Sequence, residues 1–299
     1  MKLGVIGIGD IAKKAYLPYT TTLKGIELYL FTRHRDTLKE IKSIYPSVHI
    51  VDDIDQMTTC CDAVMIHAAT HAHADYIKKF LNKGIPVFVD KPISLEFNDV
   101  EALFTLAKEK NVLFRTGFNR IYTPRLLKAK KDYGYPDVIV YQKNRHYWPS
   151  DLKDFIYNDF IHVLDTALFF IKDPIEDFMV QKKEQEGLCV SLSVFLKTKT
   201  QTAHLLMYRH NGISEEIVDL YYPNYKLHLE NLDVQIEAKD NMIQLTKYDD
   251  WTPMLKKRGF EDMIDAFIHD VKMNSEFLAR DLTSYHTHTW CEKIYQELK

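Results

Sequence analysis

Over the first 118 residues, short apolar runs rich in Val, Ile and Phe alternate with helical patterns of ten to fifteen residues. No other feature narrows the fold as much. Apolar runs buried on both faces form parallel strands, and each needs a crossover to reach the next, so the alternation specifies βαβ units. The runs place strands at residues 3–8, 27–31, 49–51, 63–67, 86–89 and 113–117. Helices are expected at 11–22, 36–44, 73–83 and 98–110, with a weak turn near Asp55. Val100, Leu103, Phe104 and Ala107 mark the last of them by their spacing.

After Asn119 the pattern changes. A helical stretch at 155–171 precedes alternating runs such as "CVSLSVFLKTKT", "TAHLLMYRH", "EIVDLYY" and "LDVQIEA", which read as antiparallel strands, and helical patterns at 260–272 and 284–298 close the chain. The expected class is therefore α/β: an N-terminal Rossmann doubly wound parallel sheet over 1–118, and a C-terminal α+β domain over 119–299 with a large, mostly antiparallel sheet.

Composition removes several functions. The formal net charge of −3 gives no field that would draw nucleic acid. No stretch approaches the ~18 apolar residues of a membrane span, and the short apolar run in "MKLGVIGIGD" is too brief for a leader. Cys60, Cys61, Cys189 and Cys291 form no C-x-x-C pair, so a reducing, cytoplasmic setting is expected.

The first expected strand runs into Gly7-Ile8-Gly9-Asp10-Ile11-Ala12, the G-x-G-x-x-A form of the dinucleotide fingerprint. Gly7 allows the tight turn, Gly9 lets the backbone approach a pyrophosphate, and Ala12 lets helix and strand pack closely. Amides at the helix start, around Asp10 and Ile11, then face the anion. Twenty positions beyond Ala12, where an acidic residue would hold the ribose 2′-hydroxyl of NAD, stand Thr32 and Arg33. A guanidinium there suits a 2′-phosphate, so NADP(H) is preferred, with NAD(H) the alternative.

With "GIGDIA", "VDKP" and "NDFIHVLD" in that order, and "GFNRIYTP" at residues 117–124, the sequence resembles the glucose–fructose oxidoreductase / inositol dehydrogenase / MocA family over essentially its whole length, with wording close to the MviM-like branch. The resemblance implies a nicotinamide-dependent oxidoreductase acting on a sugar, cyclitol or related polyol. The family's E-K-P triplet stands here as Asp90-Lys91-Pro92. Its D-x-x-x-H motif keeps the histidine as His162 but has Asn158 where the carboxylate is expected, with Asp159 next door. The resemblance also puts Thr70 and His73 beside the nicotinamide, and Asn119 and Arg120 at the domain junction.

In a doubly wound sheet, ligands lie outside the carboxyl ends of the strands, where Thr70, Asp90 and Lys91 emerge. Partial burial and an oxidised nicotinamide would both lower the pKa of Lys91, which could then take the hydroxyl proton as hydride leaves. His162 is the second proton-handling candidate. Asn158 can orient substrate but cannot exchange a proton at neutral pH. Arg145, Tyr147 and Trp148 could reach a polyhydroxylated ligand or simply pack at a sheet edge. The H-x-H pairs His71/His73 and His286/His288 lack companions for a metal, and none is expected. Two other readings stay open: a catalytically silent cofactor-binding regulator, which Asn158 favours, and a redox-assisted glycosidase. A homodimer or homotetramer through the C-terminal sheet is expected.

Overall fold

The computed structural model describes residues 1–299, apart from the side chain of Ala279. The chain forms two compact units, one of residues 1–118 with 260–286 and one of residues 119–259 with 287–299.

In the first unit, β1 (Lys2–Ile6), β2 (Glu27–Phe31), β3 (His49–Ile50), β4 (Ala63–Ile66), β5 (Val87–Val89) and β6 (Phe114–Thr116) pair in parallel in the order β3-β2-β1-β4-β5-β6. The order reverses between β1 and β4, and that switch point opens a crevice at the carboxyl ends. The apolar runs have their expected cause. Val64, Ile66, Val87 and Val89 are fully buried and pack with Ile77, Phe80 and Leu81 of the helix His73–Leu81 and with Val100, Leu103 and Ala107 of the helix Phe97–Lys110. Asn111, left-handed at φ 54°, ends the latter helix. The segment read as a weak turn near Asp55 is a helix, Ile54–Cys60, because the Asp53 carboxylate caps it by accepting from the Asp55 amide at 3.0 Å.

Residues 119–299 do not form one compact unit, because residues 260–286 fold with the first unit. The helix Phe260–Lys272 carries its apolar face there: Phe267 lies 5.5 Å from Phe88 and Phe260 5.7 Å from Tyr16, ring centre to ring centre. Behind β6, Arg115 donates from Nε to Asp281 Oδ1 at 2.9 Å and from Nη2 to Asp270 Oδ2 at 3.0 Å, all three side chains being buried.

The second unit holds an eight-stranded sheet: β7 (Val138–Asn144), β8 (Ile175–Gln185), β9 (Leu188–Thr198), β10 (Thr202–Tyr208), β11 (Glu215–Tyr222), β12 (Tyr225–Glu230), β13 (Val234–Lys239) and β14 (Met242–Thr246), in the order β14-β13-β12-β11-β7-β10-β9-β8. β7 and β10 run parallel and every other pair is antiparallel. One helical run covers the inner face, starting at Leu152–Asp154, widening to a π-turn at Phe155–Phe160 and continuing as Ile161–Phe170. Period-2 alternation sends Ile139, Tyr141 and Lys143 of β7 inward, opposite Leu220, Val218 and Glu216 of β11. Two charges thus stand on otherwise apolar rows.

Candidate functional site

At the switch point, Gly7 leaves β1 with φ 86° and donates its amide to Phe31 O at 2.9 Å. A Cβ there would lie 2.4 Å from the Ala68 backbone nitrogen, so only glycine makes this turn. Nothing lies within 4 Å of where a Gly9 Cβ would project, which leaves the turn open to an approaching ligand. Ala12 is fully buried and begins a π-turn, Ala12–Tyr16, that passes into Leu17–Thr20. The expected helix is there, with a wider first turn. A cleft of about 190 Å³ runs past Gly7, Gly9, Thr32, Arg33, His67 and Ala68.

Arg33 lines this cleft with no partner among the described residues, whereas Arg35 is paired with Asp52. Exposed Arg33 is thus the guanidinium left for an anion. Thr32 offers its hydroxyl oxygen to the His34 amide at 3.5 Å. Asp10 holds Lys14 at 2.9 Å across one exposed helical turn, so its side chain turns toward a cation of its own helix. An anionic group fits this turn: an open glycine, a helix start and an unpaired guanidinium converge on one cleft.

Lys91 emerges half-buried from β5, and its bond to Pro92 is cis. Its amide donates to Asp90 Oδ1 at 2.9 Å, and the Tyr16 hydroxyl approaches the same oxygen at 3.4 Å. Burial raises the Asp90 pKa, opposed by Lys91 and His73. Tyr16 stacks on His67 at 3.8 Å, and burial drives the His67 imidazole down to about 3, so it is neutral. His73 offers no free nitrogen: Nδ1 lies 3.0 Å from Pro92 O and Nε2 2.9 Å from Ala68 O, deep in the unit. It braces the ends of β4 and β5. Thr70 starts the short turn before that helix and is half-buried. Tyr16 and His67 were missed by sequence reasoning because aromatics at such spacings look like ordinary core.

In the second unit Asn158 and Asp165 have separate partners. Asn158 donates to Asp154 Oδ1 at 2.6 Å, while Asp165 is buried and accepts from Thr287 Oγ1 at 3.0 Å. Burial pushes the Asp165 carboxyl up to about 7, with Thr287 opposing. His162 is buried on the same run. Asn119 donates to Arg258 O at 2.8 Å and accepts from Arg120, and Arg120 grips Glu216 through Nε and Nη2 at 2.5 and 3.1 Å. Both are therefore occupied inside the unit.

Next to Asn158, Asp159 brings a second buried carboxylate to this helical run. Lys143 donates to it, Arg145 meets it with two hydrogen bonds at 2.9 and 3.0 Å, and Arg209 stands 3.4 Å away. Burial would raise the Asp159 pKa, but Lys143 and Arg145 outweigh it and hold the group well below the usual carboxylate range. Charges on the apolar rows of β7 and β11 were the signal that could have revealed this cluster. Among the described residues no group of three or more His, Cys, Asp or Glu could hold a metal ion, and no helix is long and apolar enough to cross a membrane.

A doubly wound sheet, a glycine turn open to an anion and a lysine at the carboxyl end of β5 define a dinucleotide-binding oxidoreductase. Residues 1–118 match the sequence model described as "Oxidoreductase family, NAD-binding Rossmann fold". A crystal structure of a Gfo/Idh/MocA family oxidoreductase from Vibrio cholerae is 32% identical and superposes with a TM-score of 0.90, covering 100% of this chain and 99% of that one. A dehydrogenase (MviM) from Clostridium difficile is 27% identical with a TM-score of 0.93, covering 99% of each chain. The myo-inositol 2-dehydrogenase of Thermotoga maritima is 30% identical over 142 residues, 44% of this chain and 40% of that protein. The chain belongs to the Gfo/Idh/MocA family and is an NAD(P)-dependent dehydrogenase or reductase.

Proposed function

We propose that this enzyme transfers a hydride between NADP(H), in preference to NAD(H), and a carbinol or carbonyl carbon of a sugar, cyclitol or related polyol. The observation that carries the reading is Lys91, half-buried at the end of β5 in the unit that also bears the glycine turn. Likeness to the Thermotoga maritima myo-inositol 2-dehydrogenase supports the polyol class. The nicotinamide supplies or accepts the hydride when bound.

The Lys91 amine takes the hydroxyl proton in oxidation and returns it in reduction, while Asp90 and His73 fix the backbone that carries it. His162 is the second proton-handling residue, and Asn158 orients substrate. Gly7, Gly9 and the amides of Asp10 and Ile11 receive the pyrophosphate, with Ala12 keeping the helix close. Arg33, beside Thr32, takes the 2′-phosphate. We further propose a cytoplasmic enzyme that pairs copies of itself through the outer face of the eight-stranded sheet, where Val140, Phe195 and Leu206 stand beside exposed Met179.

A panel of polyols, sugars and keto sugars with NADP⁺, NAD⁺ and their reduced forms, followed at the nicotinamide absorbance, tests the reading. Turnover of at least one polyol–NADP⁺ pair is expected. A second reading, a cofactor-binding regulator, draws on Asn158, whose amide replaces an ionisable group. Tight NADP(H) binding with no turnover across the panel would favour that reading instead.

A further inference from the structure

We propose that the substrate carries an anionic group, a carboxylate or a phosphate, received by Arg145 above the Lys143–Asp159–Arg209 cluster. This rests on the dehydrogenase reading above and narrows its substrate class.

The charge count of the cluster is the first argument. Arg120 and Glu216 neutralise one another through two hydrogen bonds, with the Tyr141 hydroxyl donating to the same carboxylate. Lys143, Arg145 and Arg209 are left to share Asp159. Asp154, 37% exposed and 3.7 Å from Arg209, offsets part of one charge. With Lys143 protonated, counting Asp154 in full still leaves one positive charge unmatched. An uncompensated buried charge costs several kcal/mol, so such an arrangement calls for a further anion. Burial, and next Arg120, push Lys143 down to about 7 against the pull of Asp159 and Glu216, so near neutrality the amine gives up its proton readily and an incoming anion would hold it charged.

Access singles out Arg145. Its side chain is 35% exposed, against 3% for Lys143 and 2% for Arg209. Nε and Nη2 are fixed on the two Asp159 oxygens, which sets the plane of the guanidinium, while Nη1 has no partner among the described residues. A planar donor group held by one carboxylate and open on another edge is preorganised for a second oxyanion. Asp159 lies three residues before His162 on the same helical run, so the anion would be read within about one turn of the residue proposed to face the substrate. A neutral polyol leaves the charge unmatched.

Calorimetric titration of the NADP⁺-loaded protein with D-gluconate, D-glucose 6-phosphate and neutral D-glucitol tests the proposal. At least one anion is expected to bind wild type ten or more times tighter than glucitol, and the stronger one tells carboxylate from phosphate. Arg145→Met should abolish that preference without weakening glucitol, and Arg145→Lys, which keeps charge but not the planar fork, should restore part of it. Equal binding of glucitol and both anions to wild type, or an undiminished preference in Arg145→Met, overturns the proposal. The nicotinamide absorbance of the same mixtures separates the two readings. Hydride transfer to or from glucitol without anion preference leaves the polyol reading and removes the anion site, whereas anion preference without turnover of any compound leaves the site and counts against the polyol reading.

Discussion

Two buried arginine clusters, one in each unit, invite comparison. Behind β6, Arg115 is matched by Asp270 and Asp281, and Arg280 pairs with the other oxygen of Asp270, so two cations face two carboxylates. Every charge there has a counterpart within the protein, and the cluster fastens residues 260–286 to the parallel sheet. Under the helical run of the second unit, three cations converge on Asp159 alone at its centre. Burial and pairing do not by themselves make a charge cluster structural. Balance within the protein marks a fastening, and surplus marks a place for something from outside.

Arg115→Met should have the largest effect. It strands the buried Asp281 carboxylate and leaves Asp270 with Arg280 alone, and should cost about 3–5 kcal/mol in urea denaturation; a loss well under 1 kcal/mol would show that the balanced cluster fastens nothing. A buried carboxyl with no cation hydrogen-bonded to it, Asp165, sharpens the rule next. Its folded pKa, about 7, lies above the ordinary 3.8, so the stability it contributes is full below about pH 4 and is lost as pH rises through 7. Asp165→Asn should therefore gain on wild type across that window, by up to about 4 kcal/mol, and then level off; a pH-independent difference would mean that Asp165 ionises normally. Arg33→Ala should weaken NADPH by about ten- to a hundredfold while leaving NADH nearly unchanged, as fluorescence titration would record. Equal losses would remove the 2′-phosphate assignment. The smallest effect belongs to Arg145→Met, whose stability should stay within about 1 kcal/mol of wild type because Lys143 and Arg209 still hold Asp159. A loss as large as that of Arg115→Met would make this cluster a fastening too.

The first unit was legible because its determinants are local. Gly7, Gly9 and Ala12 announce the turn within six residues, and the apolar runs of β4 and β5 announce burial on both faces. Lys91 follows directly from its strand. Strands β7, β8, β12 and β14 were not individually named, and β8 and β14 lie at the sheet edges, where half or more of the side chains meet water and the alternation fades. Asp159 was hidden for a different reason: its three cations come from β7, the turn after it and the end of β10, and only strand register brings Lys143 opposite Glu216. The return of residues 260–286 to the first unit was equally a matter of long-range pairing, through Arg115 and the rings of Phe260 and Phe267.

Lys91 is proposed to move the proton in a nicotinamide-dependent reaction. The direct measurement is turnover of Lys91→Ala at the nicotinamide absorbance, on whichever compound wild type converts, alongside NADPH affinity by fluorescence. Turnover should fall by about 10²–10⁴ with cofactor binding retained. Unchanged turnover with intact binding would contradict the account.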